Sequence, residues 1–168
     1  MAAGDKESEV VAARGLLGLI DLDGMLVTSD ALHCQGETAR LIRERGGDWR
    51  FALKANRPAQ HAETQALFAD PANRTDGVHT TTDGHNGGRI ETRRHIVSHD
   101  IGWMLSDRRH PDEAPMPGLA MLGMVEAEVT RHGKTTRQRR FCLSSAAMGA
   151  ARFAAAVRAY WRIENSLH

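Results

Sequence analysis

The sequence is poor in aromatic residues, at 5% of its 168 positions, and holds two cysteines. Cys34 and Cys142 lie far apart, and no CxxC or Cys/His metal spacing occurs. That argues against a disulfide scaffold or a structural zinc module and suits reduced thiols in a cytoplasm. No apolar run approaches the roughly 20 residues needed to span a bilayer, so no membrane partner is expected. The first residues, Met1 to Glu7, lack the basic-then-apolar order of a secretory signal. There is no internal repeat, no long low-complexity segment and almost no net charge: 22 basic residues face 21 acidic ones, leaving +1.

What is present reads as an ordinary globular domain. The chain is 41% hydrophobic and 26% charged, and its length fits one domain. The charge is unevenly spread. Residues 1–84 carry 9 Lys/Arg against 13 Asp/Glu, and residues 85–168 carry 13 against 8. A basic second half suits a polyanionic partner or a solvated basic surface.

In chain order, Glu7 to Ile20 has helical spacing, with Val10, Val11, Leu16, Leu17 and Ile20 able to share one broad face. Met25 to Ser29 reads as a buried strand. Glu37 to Arg45 is an amphipathic helix stopped by Gly46-Gly47. Trp49 to Lys54 alternates as a second strand, and Arg57-Pro58 opens a helix through about Phe68. Strand, helix, strand predicts parallel pairing through a right-handed crossover. Residues 74–88 have little to bury and read as loop, with His79 and His85 as loop residues. Arg89 to Val97 reads as an edge strand, and Ser106 to Pro117, with three prolines, as a loop. Leu119 to Val129 and Thr136 to Leu143 read as a hairpin turning at His132-Gly133-Lys134. Ala146 to Ser166 is an alanine-rich helix. The chain is therefore α/β, with a β-rich middle.

Two carboxylates stand out. Asp30 ends the first strand, where open α/β sheets bind ligands, although Asp is also favoured as a cap. On a helical wheel, Glu164 extends the stripe formed by Phe153, Val157 and Tyr160. A carboxylate on such a stripe is costly unless it is paired, binds a metal, or escapes to water where the helix frays. One carboxylate at a strand end and one on a helix facing the sheet suit divalent-metal phosphoryl transfer, with Mg²⁺ or Mn²⁺ as the ion. A third carboxylate is expected for that chemistry. The hairpin carries Arg131, Lys134, Arg137, Arg139 and Arg140, a run that suits phosphate contact or a solvated surface.

Several stretches together resemble a known family. Leu26-Val27-Thr28-Ser29-Asp30-Ala31-Leu32-His33-Cys34-Gln35 is similar to the strand bearing the second catalytic Asp of DDE transposases of bacterial insertion sequences, in the ISAs-type or H-repeat-associated branch. Gly46-Gly47-Asp48-Trp49, Ala52-Leu53-Lys54-Ala55-Asn56 and Gly88-Arg89-Ile90-Glu91-Thr92-Arg93-Arg94 match further motifs in order. Tyr160-Trp161-Arg162-Ile163-Glu164-Asn165-Ser166-Leu167-His168 resembles the helix carrying the final catalytic Glu. The resemblance implies an incomplete ribonuclease-H-like core over 1–73, a β-rich insertion over 74–145, and a core helix over 146–168. It implies catalytic, metal-binding roles for Asp30 and Glu164. It places Lys54, Asn56, Arg89, Arg93 and Arg94 near DNA, meaning transposon ends and target DNA, allows self-association, and implies a cytoplasmic, nucleoid-associated location.

The departures are as informative. The family's first catalytic Asp sits in an Ile-Asp-Gly-Lys type motif, which nothing here matches, and the family continues beyond Leu167-His168. The expectation is a transposase piece truncated at both ends and inactive as it stands. Two rivals remain: a non-catalytic DNA-binding or transposase-inhibiting fragment, and an unrelated metal-dependent nuclease whose third carboxylate is Asp23 or Asp48.

Overall fold

A short parallel strand pair starts the fold and a long antiparallel hairpin completes it. The computed structural model describes residues 3–74, 77–85, 89–105, 113–114 and 116–166, with side chains placed over 7–74, 77–84, 89–105, 113–114 and 116–161. Helix α1 spans Ala3–Leu17. Its expected broad apolar face is only partly buried. Val10 is buried and Leu17 packs on the core, whereas Val11, Leu16 and Ile20 are exposed. Ile20 lies beyond the last helical turn, and polar contacts anchor the helix. Arg14 donates to Thr38 Oγ1 at 3.0 Å and to Gln35 Oε1 at 2.5 Å, and pairs with Glu37.

Strand β1 (Leu26–Ser29), helix α2 (Gly36–Glu44) and strand β2 (Asp48–Leu53) form the expected parallel crossover unit, with Leu26 opposite Asp48 and Ser29 opposite Phe51. Gly46 ends α2 at φ +78°, a conformation that costs glycine little. Helix α3 spans Pro58–Ala69 and buries Gln60, Thr64 and Phe68.

The middle differs from expectation. Residues Val78–His85 form a strand, β3, so His79 and His85 are strand rather than loop residues. It is a Thr-rich edge strand whose order comes from pairing with β4 (Arg89–Ser98), not from burial. Strand β4 is interior, flanked by β3 and by β5 (Met121–Arg131). Most of the proline-rich 106–117 stretch lies outside the described residues. Strands β5 and β6 (Lys134–Ser144) form the expected hairpin. Its turn is two residues, His132 and Gly133, at φ 50° and 73°, the mirror-type turn that matches strand twist. Helix α4 spans Ala150–Ser166.

The sheet order is β1-β2-β6-β5-β4-β3. It is a mixed α/β fold with one six-stranded sheet among the described residues. The β-rich segment supplies four of these strands, joined to the first half by antiparallel β2–β6 pairing. Strand alternation splits the core in two. Trp49, Phe51, Leu53, Leu122, Met124, Phe141 and Leu143 face one side with Ile42 and Phe68. Val97, Met121, Val125 and Cys142 face the other, under Phe153 and Val157 of α4. Helix α4 packs tightly over Gly123, where an added Cβ would lie 2.6 Å from Phe153 Cζ and 2.7 Å from Cys142 Sγ. Among the described residues, no helix is long and apolar enough to cross a membrane.

His95 lies beneath α4, wholly buried, with its ring 6.0 Å from that of Phe153. Burial lowers its pKa from 6.5 to about 4, with a smaller opposing effect from the His79 backbone. The unfolded chain therefore takes up a proton near pH 6.5 while the fold resists until about pH 4. This stability is full above pH 6.5 and falls away towards pH 4, amounting to about 3 kcal/mol. Urea denaturation between pH 4 and 7 should show that slope, and His95→Leu should flatten it; an unchanged slope would contradict this role.

Substituting Gly123 with Ala should cost about 1–3 kcal/mol, because Phe153 must move off the sheet. A thermal melt of Gly123→Ala at neutral pH checks it.

Candidate functional site

Strand β1 ends at Ser29 and delivers Asp30 to the surface. Asp30 caps the short 3₁₀ turn Ala31–His33, its Oδ1 accepting from the Leu32 amide at 3.0 Å. Capping and ligand binding do not exclude each other, since a carboxylate has several lone pairs to offer. Asn56, expected near DNA, donates from Nδ2 to the Ala31 carbonyl at 2.6 Å. It thereby clasps the segment after β2 to the Asp30 turn.

Asp30 opens onto a cleft of about 370 Å³ shared with Arg50, Lys54, Arg140, Tyr160 and Trp161. Strand parity explains the grouping. Leu26 packs under α4 and Val27 on the opposite side, so Asp30 projects to the α4 face. On β2, Trp49, Phe51 and Leu53 fill the far core, leaving Arg50 and Ala52 under α4 and Lys54 just beyond. Glu164 lies in the last turn of α4, one turn after Tyr160; its side chain lies outside the described residues.

The basic candidates divide between the two faces. On the face away from α4, Glu126 sits between register partners Arg94 on β4 and Arg139 on β6, at 3.0 and 2.8 Å. Burial alone would raise the Glu126 pKa, but hydrogen bonds from Arg139 and Arg94 outweigh it and hold it below the usual value. Arg137 pairs likewise with Glu128 at 2.7 Å. On the α4 face, Glu91 holds Arg89 at 3.0 Å and Arg93 at 2.6 Å. Arg93 and Arg140 also lie over the Trp161 ring, at 4.9 and 5.3 Å from its centroid. Arg131 and Lys134 are exposed beside the hairpin turn. A second hollow of about 700 Å³ runs on from the cleft past Trp161, between Arg89, Arg93 and Arg140.

Asp23 and Asp48 lie near the opposite end of β1. Asp48 is the register partner of Leu26, four residues or about 13 Å along the strand from Asp30. It bonds Arg43 at 2.5 Å and Ser145 Oγ at 2.7 Å. Asp23 lies against Gly46. Neither is placed to complete a site with Asp30. Among the described residues, no group of three or more His, Cys, Asp or Glu could hold a metal ion.

Arg50 and Trp161 were not singled out as site residues from the sequence. The available signal was their parity on β2 and α4, which points both towards the face bearing Asp30.

Comparison with known proteins adds relatives. The chain is 36% identical over 140 residues to an uncharacterised protein from the dhlA 3′ region of Xanthobacter autotrophicus, covering 83% of this chain and 45% of that protein. It is 30% identical over 176 residues to the Escherichia coli "H repeat-associated putative transposase YhhI", covering 98% and 43%. It is 31% identical over 184 residues to the Escherichia coli O157:H7 "Putative transposase YncI", covering 97% and 42%. The chain thus spans less than half the length of these curated relatives. No family model and no solved structure matches it.

Replacing Glu126 with Gln leaves two arginines around a neutral acceptor. Because both arginines are part-exposed, the cost should be about 1–2 kcal/mol, between that of an exposed and a buried pair. Glu128→Gln should cost less than about 1 kcal/mol. Urea titrations of the two variants at pH 7 compare them directly. Since the Glu126 pKa is depressed, the difference should vanish as the pH falls through its folded value.

Proposed function

We propose that this chain is part of an insertion-sequence transposase of the DDE type, whose intact form cuts and joins DNA at transposon ends. The observation that carries the reading is its similarity, along nearly its whole length, to proteins named as transposases. The site supports it: Asp30 at the β1 end faces α4, the helix that bears Glu164 one turn beyond the cleft. Residues 1–73 and 146–168 belong, in this reading, to a ribonuclease-H-like core, with 74–145 as its insertion.

The described donors do not fit a pair of divalent ions. The cleft holds one described carboxylate, Asp30, among the cations Arg50, Lys54, Arg139 and Arg140. Mg²⁺ or Mn²⁺ belongs to the intact enzyme in this proposal, with Glu164 and a third carboxylate completing the set, and no metal-dependent step is derived for this chain. The surplus of cations favours a second reading, DNA binding without catalysis. Lys54 and Arg140 in the cleft, Arg89 and Arg93 in the adjoining hollow, and Arg131 and Lys134 at the hairpin tip would meet backbone phosphates.

Duplex DNA should bind this chain with little sequence preference and an affinity that falls steeply with salt. Replacing Arg131, Lys134 and Arg140 together by Ala should weaken binding to every sequence and flatten the salt dependence. Equal affinity and slope would reduce the hairpin to a solvated surface. Strand cleavage and joining with Mg²⁺ or Mn²⁺ should be absent. Activity abolished by Asp30→Ala and by Glu164→Ala would show instead that a third carboxylate is present.

A further inference from the structure

We propose that Arg50 is an anion site beneath α4 that holds one phosphodiester of a nucleic-acid backbone beside Asp30. The proposal rests on the transposase reading and adds a positioning residue to it. Arg50 sits mid-strand on β2, between register partners Thr28 on β1 and Ser144 on β6, and is 5% exposed. A guanidinium so withdrawn from water is costly unless its charge and donors are matched.

Other described arginines of the sheet and of α3 follow that rule. Arg57, 6% exposed, donates to Gln60 Oε1 at 2.6 Å and to the Ala114 carbonyl, and lies 4.0 Å from Glu113. Arg94 and Arg139 share Glu126, and Arg89 and Arg93 share Glu91. Arg50 has no such partner among the described residues. Its Cζ lies 5.5 Å from the Tyr160 ring centroid, it contacts the buried Cys142 thiol, and its Nε donates to nothing. An aromatic face and a neutral thiol offer a cation no formal negative charge.

What surrounds Arg50 is suited to a phosphate. It lines the cleft with Lys54, Arg139 and Arg140, so four cations, of which Arg139 is paired with Glu126, border about 370 Å³ of space open to solvent. A guanidinium fork matches phosphate oxygens in pairs, and a buried one binds them more strongly than an exposed one. The cleft also shares Arg140 and Trp161 with the hollow between β4, β5 and β6. An elongated, basic track of this kind fits a polymer of phosphodiesters better than an isolated small anion.

The test is calorimetric titration of the 168-residue chain, in EDTA, with a thymidine tetranucleotide lacking terminal phosphates and, separately, with inorganic phosphate. Wild type should bind the tetranucleotide. Arg50→Gln should weaken that binding by about tenfold or more, the loss expected when a charge-assisted pair is removed. Arg152→Ala, on the exposed side of α4, should bind as wild type does. Equal affinity in Arg50→Gln would overturn the proposal, as would a wild type that binds inorganic phosphate and not the tetranucleotide. Should Arg50→Gln fail to fold, the wild-type Arg50 Nε–H resonance decides. It should shift on saturation with tetranucleotide, and a stationary resonance overturns the site. Duplex DNA binding, measured alongside, separates the two readings. Wild-type duplex binding without an Arg50-dependent tetranucleotide site defeats this inference alone. An Arg50-dependent site in a chain that ignores duplex DNA defeats the transposase reading.

Discussion

The seam between β2 and β6 holds the two halves of the molecule in one sheet, and Trp49 fastens one end of it. The Trp49 amide donates to Ser145 Oγ at 2.9 Å, and its carbonyl accepts from the Ser145 amide at 2.9 Å and from Ser144 Oγ at 3.0 Å. Its indole stacks on Phe51 with ring centroids 5.0 Å apart and donates to the Pro117 carbonyl at 3.0 Å. Without this seam, β1 and β2 would be an isolated two-stranded unit of the kind that is marginal in water. The cleft depends on it directly. Asp30, Arg50 and Lys54 come from one half, and Arg140 and Cys142 from the other.

Helix α4 ties stability to the site in a second way. Phe153 and Val157 fill the core over Gly123, while Tyr160 and Trp161 reach the cleft further along the same rod. A helix is stiff over this length, so close packing at one end sets the position of side chains about two turns away. The absent side chain at Gly123 therefore governs more than local density. It determines how near the carboxylate-bearing end of α4 comes to the sheet.

Much of this fold was legible in the sequence because its elements carry their own signals. The strand–helix–strand unit has an apolar run, an amphipathic stretch and a glycine stop; the hairpin has a turn; α4 has a stripe. Strand β3 was not legible because Thr80, Thr81 and Thr82 bury little, and their order is borrowed from β4. Strand β4 read as an edge because its alternation is imperfect, yet it has a neighbour on each side. At the site, Asp30 was visible as a carboxylate ending a strand. Arg50 was not, because alternation with Trp49 and Phe51 implied a solvent-facing residue, and only the placement of α4 over that face withdraws it from water. The basic run looked like one surface. Register was needed to see that Arg94, Arg137 and Arg139 meet Glu126 and Glu128 on the face away from α4.

The two-residue turn at His132 and Gly133 is small, but the hairpin takes its phase from it. Every second residue of β6 faces α4, and the residues between them face away. A single inserted residue in that turn would invert the set if β6 slid to keep its pairing with β5. Arg139 would pass to the side of Tyr160 and Trp161, Arg140 would leave it, and Phe141 would exchange its core with Cys142. The same few arginines would then present a different pattern of bare and neutralised charge to a polyanion. In this hairpin a change of length would act as a change of charge, with no arginine or glutamate replaced.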